Sequence, residues 1–76
     1  MIEELDDVIL TCDLPEYGLS AGDIGTAVLL HRGAAGYEVE FTSLDGDTIA
    51  VVTLLANQVR PAQNGEIAHV RPLAAA

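Results

Sequence analysis

Apolar and polar side chains alternate strictly from Gly36 to Thr42, where Tyr37, Val39 and Phe41 are separated by Glu38, Glu40 and Thr42. A period of two sends one set to a core and the other to water, so this segment predicts a half-buried strand. Ahead of it, Gly25-Thr26-Ala27-Val28-Leu29-Leu30-His31 is rich in branched apolar residues and predicts the preceding strand. The joining Arg32-Gly33-Ala34-Ala35-Gly36 has Gly toward both ends and predicts a hairpin loop containing a residue at positive φ. Beyond the alternating strand, Ser43-Leu44-Asp45-Gly46-Asp47 holds an Asp-Gly pair, a strong hairpin signal. Thr48 to Leu54 follows as another strand. Its nearly continuous apolar character predicts a place at the centre of the sheet, or cover on both faces.

The remaining strands are shorter. Asp7-Val8-Ile9-Leu10-Thr11 predicts a first strand, ended by Asp13-Leu14-Pro15, and the long connection to Ile24 is expected to be an ordered loop pinned by Leu14, Tyr17 and Leu19. Asn57-Gln58-Val59-Arg60 predicts a fifth, closed by Pro61 after a single turn near Leu55-Ala56. Helical periodicity is nowhere sustained. Five short strands with frequent turns predict an all-β fold, a small SH3-like, partly open five-stranded antiparallel barrel. Short connections favour antiparallel neighbours. The domain is expected to occupy residues 1–61, with residues 62–76 as a C-terminal tail. Gln63-Asn64-Gly65 breaks the pattern, and Glu66 to Pro72 is briefly apolar, so the tail is expected to fray or to lend Ile67 to Val70 to a sheet edge. The triplet Val-Arg-Pro occurs at 59–61 and again at 70–72, too little for a structural repeat.

Three stretches together carry a resemblance: Asp7 to Thr11, Leu14-Pro15-Glu16-Tyr17-Gly18-Leu19-Ser20-Ala21-Gly22-Asp23-Ile24-Gly25-Thr26-Ala27-Val28, and Tyr37-Glu38-Val39-Glu40-Phe41. With Thr53-Leu54 and Gln58-Val59-Arg60-Pro61, they are similar to the bacterial domain-of-unknown-function family 4926 over about residues 5–61. The resemblance implies a stand-alone SH3-like barrel, often encoded beside another small uncharacterised protein, and supplies no catalytic residue to carry over. The spacing Leu-x-x-Gly-Asp-x-Gly-x-x-Val, from Leu19 to Val28, also occurs in other SH3-like barrels, including that of the nitrile hydratase β subunit. By itself it marks a fold and not a function.

Charge narrows the classes of partner. In 76 residues, Asp and Glu number 12 against three Arg and no Lys, for a formal net charge of -9. Phosphate contact needs a cationic face, so direct nucleic-acid binding is not expected, nor is attraction to an anionic membrane. No apolar run approaches the roughly 18 residues of a spanning helix, and Met1-Ile2-Glu3-Glu4 lacks a positive leader, so the chain is expected to be cytoplasmic. A core this small supplies only about 3–5 kcal/mol, which makes association an attractive supplement.

The candidates for chemistry each have a plainer reading. Cys12 is the only cysteine, which excludes an internal disulfide, and it reads as a small, partly buried apolar residue, with His31 and His69 both distant in sequence. Gly22-Asp23-Ile24-Gly25 lacks P-loop spacing and reads as a turn into a strand. Asp45-Gly46-Asp47 lacks the further ligands of a calcium loop. The run Glu3, Glu4, Asp6, Asp7 reads as a solvated end. With three aromatics and no Trp, the chain has little for a proline-peptide groove or a stacking platform. No catalytic residue, cofactor or metal ion is expected. The expected role is a non-catalytic, acidic protein-binding module that meets another protein, basic and encoded nearby, in the manner of an antitoxin or immunity-type inhibitor. Glu38, Glu40, Asp45 and Asp47 are its candidate partner-binding residues. The alternative is a structural or accessory barrel subunit of a larger enzyme complex. Open strand edges also predict a weak homodimer to which the tail strand contributes.

Overall fold

The computed structural model describes residues 1–73. Its strands are β1 (Asp7–Leu10), β2 (Ile24–Leu30), β3 (Gly36–Thr42), β4 (Thr48–Leu55) and β5 (Val59–Pro61). All pair antiparallel in one sheet, in the order β4-β3-β2-β1-β5. Short connections place β2, β3 and β4 side by side, and β5 returns to the free side of β1. Among the described residues no ladder joins β4 to β5, so the curled sheet stays open: an all-β, partly open barrel.

Alternation in β3 works as the sequence predicts. Tyr37, Val39 and Phe41 are buried, while Glu38 and Glu40 lie on the outer face. They pack with Val8 and Leu10 of β1, Ala27 of β2, Val52 and Leu54 of β4, and Val59 of β5. Ile2, ahead of the first strand, joins the same core. Gly25 leaves no room for a side chain. A β-carbon there would stand 2.6 Å from Val39 Cγ1 and 2.9 Å from Phe41 Cε1, so no larger residue fits without displacing the core. The two predicted hairpins form, with Gly33 at φ 75° in the first and Gly46 at φ 96° in the second.

Two expectations need correction. β4 is neither central nor covered on both faces: it is an edge strand in which Val52 and Leu54 are buried while Val51, Thr53 and Leu55 are exposed. A continuous apolar run does not specify how many neighbours a strand has, and here the chain leaves β4 through the turn Ala56–Gln58 toward the opposite edge. Tyr17 does not pin the β1–β2 connection. Leu14 and Leu19 bridge to each other and are buried, and the Pro15–Tyr17 turn between them projects Tyr17 into solvent. The described tail, expected to fray or to lend Ile67 to Val70 to a sheet edge, forms no strand within the chain, and Ile67 is 92% exposed. Among the described residues no helix is long and apolar enough to cross a membrane.

Candidate partner-binding face

All four carboxylates singled out in the sequence belong to the β3–β4 hairpin, two on its outer face and two at its tip. Register decides what surrounds the first pair. Glu38 lies opposite Thr53 of β4 and Leu29 of β2, and Glu40 opposite Val51 and Thr26. Thr53 Oγ1 donates to Glu38, at 2.9 Å from Oε1 and 2.7 Å from Oε2, and His31 Nε2 lies 2.7 Å from Oε2. The Thr53 hydroxyl first, and His31 second, hold the Glu38 carboxyl below the usual range. Thr48 Oγ1 donates to Glu40 Oε2 at 2.7 Å. Both carboxylates are thus oriented while remaining in reach of solvent. Exposed Leu29, Val51 and Leu55 share this part of the sheet, so the acids stand in a partly apolar frame.

At the hairpin tip, Ser43 organises the turn. Its N–H donates to the Asp47 carbonyl at 2.8 Å, and the Asp47 N–H donates back to Ser43 Oγ at 3.1 Å. The Ser43 hydroxyl also donates to Asp45, which lowers that carboxyl's pKa. Asp45 and Asp47 are both exposed.

The other polar candidates do not converge. Cys12 is half-buried against the core, with Gln58 Nε2 at 3.7 Å from its sulfur, while His31 sits with Glu38 and His69 is exposed in the tail. Among the described residues no three His, Cys, Asp or Glu side chains gather as a metal site.

Sequence reasoning missed the arginines. Arg71 reaches back to the β1–β2 connection, where Nε donates to Asp23 Oδ1 at 2.8 Å and Nη2 to the Gly18 carbonyl at 3.1 Å. That guanidinium lowers the pKa of Asp23 against the opposing effect of partial burial. Arg60 makes a two-pronged pair with Glu66, at 3.0 and 2.6 Å, and Glu66 also accepts the Gln63 N–H. Arg60 is the largest cause holding the Glu66 pKa down to about 2. The repeated Val-Arg-Pro was the available signal: each copy supplies one of these arginines. Between the tail and the sheet lies a cleft of about 790 Å³, with Ile24, Phe41 and Ile49 on one side and His69 and Arg71 on the other.

The family model described as Domain of unknown function (DUF4926) matches residues 4–61. No curated protein and no solved structure matches the chain.

Proposed function

The chain belongs to that family, whose function is unknown, and from its geometry we propose that it is a non-catalytic, acidic protein-binding module for a basic partner. The observation that carries this reading is how the charges are distributed. Arg60 and Arg71 are each engaged with a carboxylate of the same chain, and among the described residues only Arg32 stands outside such a pair. Glu38, Glu40, Asp45 and Asp47 meanwhile share one hairpin with no arginine bound to them. An opposite charge on the partner speeds encounter and fixes orientation more than it raises affinity. In its specific form, the partner is a nucleic-acid-acting toxin whose phosphate-binding surface the acidic hairpin occupies, and the chain is the antitoxin or immunity-type inhibitor.

Salt tests this directly. A partner captured from the native host should be released as sodium chloride rises, because exposed charges are screened over about 8–10 Å near physiological ionic strength. Replacing Glu38 and Glu40 together by Gln should slow association while the chain stays folded. Affinity that is flat across the salt series would contradict the proposal and favour an accessory subunit docked through an apolar interface.

A further inference from the structure

We propose that β4 is a self-association edge: two copies of this chain join antiparallel through it, about a two-fold axis near Val52. This inference is separate from the proposed role and stands or falls without any basic partner.

The backbone of β4 is prepared for a neighbour. On one side it pairs with β3 along its length, from Gly36↔Leu55 to Thr42↔Thr48. The Leu55 N–H is taken by Gln58 Oε1 at 2.8 Å, outside the ladder, so it points to the free side. Main-chain direction alternates along a strand, and the register from Val51 to Leu55 is regular. Thr53 and Val51 therefore send their N–H and C=O groups to the same free side. An axis through Val52 sets Val51 of each copy opposite Thr53 of the other, outer face against outer face, and uses both sets of groups.

Over most of its length the strand lacks the usual guards. Soluble proteins blunt sheet edges with charge, proline, bulges or very short strands. Thr48 to Leu55 spans eight residues and contains no charged residue and no proline. Its one irregularity lies at its beginning, opposite Phe41 and Thr42. Val51 and Leu55 are 55% and 61% exposed, and the pairing would shelter them.

Charge selects a second copy as the occupant. A chain of net charge -9 repels itself over most of its surface, whereas β4 offers a strip where like meets like without adding charge. The acids beside its centre are Glu38 and Glu40 on β3, and Asp47, which precedes Thr48, would fall at opposite ends of the two antiparallel strands. Three strand spacings of about 4.8 Å would separate the two β3 strands by about 14 Å, beyond the screening length of about 8 Å at physiological salt. The strip is also self-complementary, as a two-fold contact must be.

Sedimentation equilibrium of the full chain, from micromolar to millimolar concentration at physiological salt, is the test. The expected result is a monomer–dimer equilibrium that tightens as salt rises, opposite to the salt response expected of a basic partner. Val51→Lys should weaken the dimer about tenfold or more with an unchanged circular dichroism spectrum, since the new cation stands opposite Glu40. Arg71→Gln, which releases the tail from the β1–β2 connection, should leave the constant unaltered. A monomer at every concentration, a dimer indifferent to Val51→Lys, or one abolished by Arg71→Gln would overturn the proposal. Should Val51→Lys fail to fold, nuclear Overhauser effects between β4 protons in a mixture of labelled and unlabelled wild-type chains give the answer, and their absence overturns it.

Discussion

The two edges of this sheet are built in opposite ways. β5 is three residues long, ends in Pro61, and carries Arg60, whose side chain ties the returning tail to the edge through Glu66. β4 is eight residues long and uncharged, its one irregularity lies at its beginning, and the described tail forms no strand against it. Proline and charge are devices that blunt a sheet edge, and β5 carries both. Leaving the longer edge bare, in a chain otherwise crowded with carboxylates, is what distinguishes a contact surface from an unfinished one.

The largest expected effect removes both edges at once. Phe41 is 2% exposed in the core that β3 shares with its neighbours, and Phe41→Ala should cost about 3–5 kcal/mol, comparable to what so small a core supplies. Thermal denaturation should show the variant largely unfolded at room temperature. Melting within a few degrees of wild type would show that Phe41 does not hold the sheet together. Next comes Gly25→Ala, which forces a methyl group against Val39 and Phe41 and should cost about 1–3 kcal/mol. An unchanged melting temperature would mean that the core yields freely at β2.

Smaller effects separate the edges. Arg60→Gln or Arg71→Gln should leave the melting temperature almost unmoved, because exposed ion pairs contribute little, yet either should speed proteolysis of the tail. A tail equally resistant in both variants would show that the arginines do not tie it down. The smallest effect is a pH dependence at Glu66. Its folded pKa of about 2 lies below the ordinary 4.5. The contribution of its pair with Arg60 is therefore complete above the ordinary value and is lost as pH falls toward about 2. Carbon-detected titration of the Glu66 carboxyl should place its midpoint near that lower value, and a midpoint near 4.5 would dissolve the clamp.

Local pattern carried far into this fold, and then stopped for definable reasons. The orientation of Glu38 and Glu40 was legible because a one-residue slip would bury both carboxylates. The hairpin turns were legible because Gly33 and Gly46 supply the positive φ that such turns require. What surrounds Glu38 was not, since Thr53 and His31 reach it only through the register of two different strand pairs. The edge position of β4 was hidden because its apolar run suits a central strand equally well. The hold on the tail was hidden as well: Arg71 and Asp23 stand 48 positions apart, and nothing local to either residue announces the other.

Amide hydrogen exchange at Val51 and Thr53, followed over a rising concentration of the full chain, tests most directly whether one edge is open and used. The account predicts that both amides exchange rapidly in dilute solution and become protected together as concentration rises, because each gains a main-chain acceptor from a second β4. Exchange rates for these two amides that stay the same from the most dilute sample to the most concentrated would contradict it.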